Sequence, residues 1–521
     1  MKDKQYLFRL FFLILLCGVF FYSNPRAEQP VKFTIQKIEL LGNTQFANEE
    51  LFNQLPIAVG AEYSRDAVIE GKYNLLSLYG ERGYIYAKIK EVTVADETTG
   101  SVTLLYEISE GKKAHIGKIS LVGNTKTKDR VIWRKLSIHP GEVYNRKDVF
   151  TSQRKLMLLG YFDEVKIEPA QPGVESEIVD LIISVKERKT GVISLGTGYS
   201  TEEGIRGYAR YRQTNLFGKG QRFGANVFLS EQGDLVERGR EVNFDFYEPY
   251  LFNTRNGFGT DLYFRRENLE SYNLRRRGSD IYLTRLSADG AIKLTWKYRL
   301  EENQMFNIKN QLDTDIKFLE GMKTELGVFS FNLTRDTRDN LAYPHRGNIQ
   351  SVVLELANDW LASEADYYKL TGDIRTYIQL LKSEWVLGLR ATGGIAQPYG
   401  TTDSIPIYER FYSGGGESVR GIKDRHLGPK DKDGYPKGGD AMIVLNAELR
   451  FPIYKQFGGV IFYDCGNVWS EPSDVNLIDL QSAVGIGFRY QTPIGPFRLD
   501  YGVKIPKEDN GWFHISVGQT F

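Results

Sequence analysis

The sequence predicts an α+β N-terminal region of two β-α-α-β-β repeats, residues 33–110 and 114–188, followed by an all-β transmembrane barrel over residues 191–521. Three observations carry this. A block of turns, helical stretches and strands occurs twice in the same order. Helical periodicity stops after Thr190. From there onward apolar and polar residues alternate, strand after strand, and at roughly 20 residues per strand and turn the segment makes about sixteen antiparallel strands. An even number returns both barrel ends to the side on which the chain entered.

Residues 1–27 read as a secretory signal. Lys2, Lys4 and Arg9 precede an apolar run from Leu10 to Tyr22, too short to span a membrane comfortably as a helix, and Ala27 is the small residue nearest a cleavage point. Cys17 follows Leu16, where a lipid-modified cysteine needs a small neighbour. With Cys17 inside the signal, only Cys465 remains, so the mature chain forms no internal disulfide.

The repeat is detailed. Ile38-Glu39-Leu40-Leu41-Gly42-Asn43-Thr44 matches Ile119-Ser120-Leu121-Val122-Gly123-Asn124-Thr125. Each copy continues with a helical stretch (49–55, 128–136), a Gly-x-x-Tyr turn (Gly60/Tyr63, Gly141/Tyr144) and a longer helix (65–79, 146–159). Gly-Tyr follows (Gly83-Tyr84, Gly160-Tyr161), then two strands, the last at 101–108 and 178–186. In the Gly-Asn-Thr step, Gly and Asn tolerate positive φ and Thr can cap the helix that follows. Glu110-Gly111-Lys112-Lys113 is expected to be a short hinge between the copies.

The barrel strands follow by period two. In 441–451, Ala441, Ile443, Leu445, Ala447, Leu449 and Phe451 oppose Asn446, Glu448 and Arg450. In 482–490, Val484, Ile486, Phe488 and Tyr490 oppose Gly485, Gly487 and Arg489. In 495–504, Phe497, Leu499, Tyr501 and Val503 oppose Arg498, Asp500 and Lys504. The terminal strand sets Phe513, Ile515, Val517 and Phe521 against His514, Ser516, Gly518 and Thr520. One face meets lipid and the other the lumen. A strand of this kind at the C-terminus would be an exposed edge unless it closes a barrel. The first barrel strand begins at Gly191. Ile193, Leu195 and Tyr199 can face lipid there, with Gly196 and Gly198 on the lumen face. Glycine in a strand weakens pairing, so the closure of this strand on the last one, near Gly518 and Phe521, is expected to be the weakest seam. The other reading is that these glycines relieve crowding inside a curved wall.

Composition fits and excludes. Mean hydropathy is −0.36, which argues against a helical membrane protein and leaves a barrel open. A net charge of +1 shows no basic excess, so no nucleic-acid partner is expected. The five histidines show no metal-ligand spacing, and no cofactor is expected. No nucleophile elbow or His–acid cluster appears, so the chain does not read as an enzyme.

The most specific stretch is 409–429, with Gly414-Gly415-Gly416 followed by Glu417-Ser418-Val419-Arg420-Gly421. It is no phosphate-binding loop, because no Gly-Lys-Ser/Thr follows. Arg410-Phe411-Tyr412-Ser413 through Gly421 resembles the long lumen loop of the BamA/TamA family of outer-membrane β-barrel assembly proteins, and the duplicated unit resembles their POTRA domains. Asn215–Gly220, Glu248-Pro249-Tyr250, Asp336–Asn340 with Pro344–Gly347, Phe462–Trp469, Gly495–Tyr501 and the terminal Gly-Gln-Thr-Phe resemble further motifs of that family. Two features depart from it. Ile422 stands where the family usually has an aromatic, and the repeats are fewer than its assembly factors usually carry, matching its two-partner-secretion transporters instead. The plug helix and linker usual in those transporters are not apparent.

The resemblance implies a loop folded into the lumen, with Arg420 docked on wall residues Glu448 and Asp464 beside Phe462 and Gly466. From spacing alone, Arg420 is a solvated loop arginine and Asp464 an ordinary lumen residue. It further implies an outer-membrane location with periplasmic repeats. The partners it implies are unfolded outer-membrane or secreted clients, outer-membrane lipid and periplasmic accessory proteins. The function implied is client assembly through a lateral barrel seam; the alternative is a pore that secretes a partner polypeptide. A passive porin would have no use for the repeats.

Overall fold

The computed structural model describes residues 33–201, 204–232, 236–309, 320–380, 384–492, 495–506 and 511–517. The expected signal, 1–27, and the seam residues Gly518 and Phe521 lie outside the described residues.

The first repeat runs β1 (Thr34–Leu41), α1 (Asn48–Phe52), α2 (Arg65–Glu81), β2 (Lys88–Asp96) and β3 (Ser101–Ser109). β3 is central, parallel to β1 and antiparallel to β2. Its alternate residues Val102, Leu104, Tyr106 and Ile108 are buried against Val68, Leu75 and Tyr79 of α2. The Ser64 hydroxyl caps α2 by accepting from the Ala67 N–H at 3.4 Å. A Cβ at Gly71 would lie 3.0 Å from the Tyr106 hydroxyl, so glycine lets the helix settle on that ring. α1 is shorter than the helical stretch expected from sequence. Pro56 biases Leu55 away from helical dihedrals, and the helix ends at Phe52.

The second repeat repeats the order with β4 (His115–Val122), α3 (Asp129–Trp133), α4 (Arg146–Met157), β5 (Phe162–Pro169) and a central β6 (Ile178–Glu187). Asn145 caps α4, its side-chain oxygen accepting from Lys147 and Asp148 N–H groups at 2.9 and 3.3 Å.

Thr44 does not cap α1: the N-cap position is Ala47, without a side-chain bond. Glu110, just beyond β3, closes the Gly-Asn-Thr turn instead. It accepts from the Thr44 hydroxyl at 2.5 Å, the Thr44 and Gln45 N–H groups at 2.8 and 3.0 Å, and the Tyr79 hydroxyl at 2.9 Å. Glu187 does the same in the second copy, accepting from the Thr125 hydroxyl at 2.9 Å and the Thr127 N–H at 2.6 Å. Burial pushes both carboxyls up, but these hydrogen bonds outweigh it and hold both below the ordinary glutamate value. The expected hinge is therefore pinned. Glu110 is tied to the first repeat, the Lys112 N–H donates to Glu175 at 2.6 Å, and the Ala114 N–H donates to the Gly83 carbonyl at 2.8 Å.

The barrel is a sixteen-stranded sheet in which each strand pairs with the next. Its strands are β7 (Gly191–Ser200), β8 (Gly204–Leu216), β9 (Gln221–Gln232), β10 (Val236–Glu248), β11 (Asn256–Asn268), β12 (Asn273–Leu286), β13 (Ile292–Phe306) and β14 (Lys323–Asp336). They continue with β15 (Gly347–Ala357), β16 (Tyr367–Leu380), β17 (Trp385–Pro398), β18 (Ala441–Tyr454), β19 (Phe457–Trp469), β20 (Gln481–Thr492), β21 (Gly495–Ile505) and β22 (Trp512–Val517). All these pairs are antiparallel, and β22 lies beside β7. Alternation sorts the faces. On β19, Ile461 and Tyr463 are about half exposed on the outside, while Phe462 and Asp464 are buried inside. The end at which β7 begins is called proximal here. Three of the sequence motifs close proximal turns on themselves. Asn215 accepts from the Gly220 N–H at 2.8 Å, Glu248 from the Tyr250 N–H at 2.9 Å, and Asp339 from the His345 N–H at 3.0 Å. The longest loop, 399–440, is distal and joins β17 to β18.

Candidate functional site

The 399–440 segment turns inward, and glycine makes the turn. Gly414, Gly415 and Gly421 have φ of 106°, 88° and 92°, a region that side-chain-bearing residues rarely adopt. The Gly415 N–H donates to the Ile422 carbonyl at 2.9 Å, and the Ser418 hydroxyl accepts from the Gly414 N–H at 2.8 Å. Gly416, half-buried, completes the turn. Val419-Arg420 is left at its tip. A Cβ on Gly421 would sit 2.9 Å from backbone atoms of Gly502 and Val503, so the loop backbone lies directly against β21.

Arg420 is 1% exposed, and each of its three guanidinium nitrogens donates a hydrogen bond. Its Nε donates to Asp464 Oδ2 at 2.7 Å and its Nη2 to Asp464 Oδ1 at 2.9 Å, a bidentate fork. Its Nη1 donates to Glu448 Oε2 at 3.1 Å and lies 3.7 Å from Asp500. Its own backbone N–H also donates to Asp464, at 3.1 Å. The guanidinium stacks 3.5 Å from the Phe462 ring centroid. Gly466, farther along β19, is buried, and a Cβ there would meet the Ile443 carbonyl at 2.6 Å. Arg450 reaches Glu448 at 3.2 Å, and Arg489 reaches Asp500 at 2.5 Å. Asn446 donates to both Asp464 and the Ser418 carbonyl, at 2.8 and 2.6 Å. Three buried guanidiniums thus meet three buried carboxylates. Desolvation offsets most of the Coulombic gain, but removal of one partner strands a buried charge. Val419 and Ile422 sit beside this cluster, packed with Leu427, Val444 and Ala483. Ile422 therefore serves as an apolar contact where the family usually has an aromatic.

A second anchor escaped sequence reasoning. Glu409 is buried at the start of the inward turn, where it accepts from Arg299 Nη2 at 3.0 Å, Arg276 Nη1 at 3.3 Å and the Tyr367 hydroxyl at 3.3 Å. Lys369 donates to its carbonyl at 2.7 Å. Arg276 also holds Glu301 at 3.1 Å. These partners come from β12, β13 and β16, on the wall away from the Arg420 socket. No local pattern marks Glu409, because its partners are 40 to 133 residues away in the chain. Arg450, Arg489 and Asp500 carried a usable signal, since alternation had already put them on the lumen face.

The seam differs. On β7, Gly191, Gly196 and Gly198 pair with Gln213, Tyr208 and Arg206 of β8. Ile193 and Leu195 face outward, 74% and 76% exposed. β22 pairs with β21 from Trp512 to Val517. Among the described residues no hydrogen-bonded register joins β7 to β22. A Cβ on Gly196 would strike the Tyr208 ring at 2.4 Å, whereas one on Gly198 would meet nothing within 4 Å. Gly196 thus relieves crowding, and Gly198 does not.

Residues 215–521 match the Omp85 superfamily domain. The chain belongs to the Omp85 superfamily. Residues 33–111 and 114–188 each match POTRA, the surface antigen variable number repeat. The outer membrane protein assembly factor BamA of Nitratidesulfovibrio vulgaris is 30% identical over 460 residues, covering 86% of this chain and 56% of that protein. BamA of Neisseria meningitidis serogroup B is 26% identical, covering 96% of this chain and 69% of that protein. The chain thus spans little more than half the length of the first of these relatives. The crystal structure of BamA from Haemophilus ducreyi lacking POTRA domains 1–3 superposes with a TM-score of 0.79 at 21% identity, covering 94% of this chain and all of that one. CdiB from Acinetobacter baumannii superposes less well, with a TM-score of 0.50 at 15% identity, covering 94% of this chain and 90% of that one. As an Omp85 protein with POTRA repeats, the chain resides in the outer membrane with its repeats in the periplasm.

Proposed function

We propose that this Omp85 protein is an outer-membrane assembly factor. Its POTRA repeats receive unfolded clients, the edges of their three-stranded sheets offering backbone groups to an extended segment. The barrel then promotes insertion and folding at the β7–β22 seam, where the client's strands meet lipid. The observation that carries this reading is a seam that no ladder joins among the described residues, in a barrel whose lumen loop is anchored at two places on the wall. A passive wall needs neither. The assembly-factor names of the relatives support the same reading, and the mechanism invokes no covalent chemistry. Clients are outer-membrane or secreted polypeptides, and periplasmic accessory proteins deliver them.

The test is reconstitution. The full chain in outer-membrane-lipid vesicles should accelerate folding of a urea-denatured small β-barrel, followed by its protease resistance. A rate equal to that of empty vesicles would reject the proposal. Transfer of an extended polypeptide into the vesicle lumen, without client folding, would favour a secretion pore instead.

A further inference from the structure

The outer face of the barrel carries a basic feature that client assembly does not use. On the distal, outward side of β10, β11 and β12, register sets Arg240 opposite Arg266, and Arg266 opposite Arg275. The outward direction follows from alternation: Leu262 of β11, Ile281 of β12 and Leu300 of β13 lie on the same face and are 56%, 49% and 39% exposed. Like charges directly across a strand pair destabilise it unless a counter-charge intervenes.

The two central arginines are held in place. Their guanidiniums share one aromatic platform, at 4.9 Å (Arg266) and 5.6 Å (Arg275) from the Phe306 ring centroid. Their Nε atoms are shielded and have no hydrogen-bond partner among the described residues. Arg277, one step toward the bilayer, lies 5.6 Å from the Phe264 ring. The nearby outward carboxylate, Glu302, is engaged by Lys323 at 3.0 Å and is 3.9 Å from Arg277. Among the described residues, Arg266 and Arg275 therefore keep positive charge without a carboxylate partner at the upper edge of the apolar band, where headgroups lie. Gly191 follows the periplasmic repeats, so the distal edge is that of the outer leaflet.

We propose that Arg266 and Arg275, carried on Phe306, bind the phosphate headgroup of an outer-leaflet lipid. The forked guanidiniums match phosphate oxygens, and the acyl chains lie over Leu262, Ile281 and Leu300. This goes beyond client assembly and does not depend on it.

The test uses the full chain in phosphatidylcholine nanodiscs doped with bisphosphorylated lipid A or with its dephosphorylated form, bound lipid being counted by native mass spectrometry. The phosphorylated form should be retained about tenfold more strongly. Arg266→Gln with Arg275→Gln should lower that retention about tenfold, while the outward proximal substitution Arg285→Gln should change it less than about twofold. Equal retention of both lipid forms by the unaltered chain would overturn the proposal whatever the variants do. So would a double variant, folded by heat-modified gel mobility, that binds as well as the parent. Displacement of the lipid by equimolar inorganic phosphate would show a site for free phosphate and would equally reject a lipid site.

Discussion

Around the Arg420 socket and along the seam the lumen face is lined with glycine, but the two sets of glycines meet different neighbours. In the socket wall the missing side chains are room already taken. A Cβ on Gly485 would lie 2.2 Å from the Phe462 ring, one on Gly487 1.9 Å from Asp500 Oδ1, and one on Gly502 2.7 Å from the Gly421 nitrogen. Along β7, Gly198 faces open space and β22 offers no ladder among the described residues. The socket glycines make room for packed neighbours, as Gly196 does for the Tyr208 ring, whereas Gly198 stands in open space. The proposed fixed plug and movable seam turn on this difference between the socket and Gly198.

The largest expected effect breaks the rigid side. Asp464→Ala removes three of the four hydrogen bonds Arg420 makes, leaving it the Glu448 bond and the longer contact to Asp500, and should weaken loop anchoring by about 3 kcal/mol. It should expose the loop to trypsin and impair client assembly, while heat-modified mobility still reports a folded barrel. Arg420→Ala should do the same, and the two together should be sub-additive because their atoms touch. Additive losses would mean that the pair does not act as a unit. Glu409→Ala should cost less than Asp464→Ala, because Arg276 keeps Glu301 and Arg299 is also within 3.8 Å of it. Equal or greater protease exposure of the loop in Glu409→Ala would reverse the ranking of the two anchors.

The glycines themselves sharpen the comparison. Gly485→Ala should destabilise the barrel by about 1–3 kcal/mol through overpacking. Gly198→Ala should stabilise it by about 0.5–1 kcal/mol by reducing unfolded-state entropy. Guanidinium unfolding in detergent, read by tryptophan fluorescence, decides both. Matching signs would erase the distinction between socket and seam.

The smallest effect lies in the repeats, where Gly42 approaches the Ile108 carbonyl as closely as the socket glycines approach their wall, at 2.2 Å from a would-be Cβ. Glu110 and Glu187 have lowered folded pKa values. Their stabilisation is complete above the ordinary glutamate value of about 4.3 and is lost as pH falls through the lower folded values. Fragment 33–188 should be soluble and show this acid limb in thermal melts. Glu110→Gln should flatten it at a cost of about 1 kcal/mol after solvent screening. An unchanged acid limb would remove Glu110 from the turn's support.

Much of this was legible in the sequence, for physical reasons. Period-two alternation follows from a wall with lipid on one side, so strand number and the inward direction of Asp464 and Glu448 could be read along the chain. The repeated Gly-Asn-Thr marked the turns, because positive φ selects glycine. Thr44 was misassigned as a cap, since a threonine near a helix start is ambiguous until the strand that returns beside it is placed. Glu409 was invisible because its partners are brought to it by barrel closure, which no local pattern encodes. The pinned linker was missed for a related reason: glycine and lysine read as flexible, while the bonds that hold the linker come from Glu175 and Gly83.

The central claim is that the β7–β22 seam opens as clients fold. With Cys465 replaced, one cysteine placed in β7 and one in β22 can be oxidised to lock the seam, and client folding measured in the same vesicles before and after reduction. The account predicts that the locked barrel stalls client folding and that reduction restores the rate. A locked barrel that folds clients at the unlocked rate would contradict it.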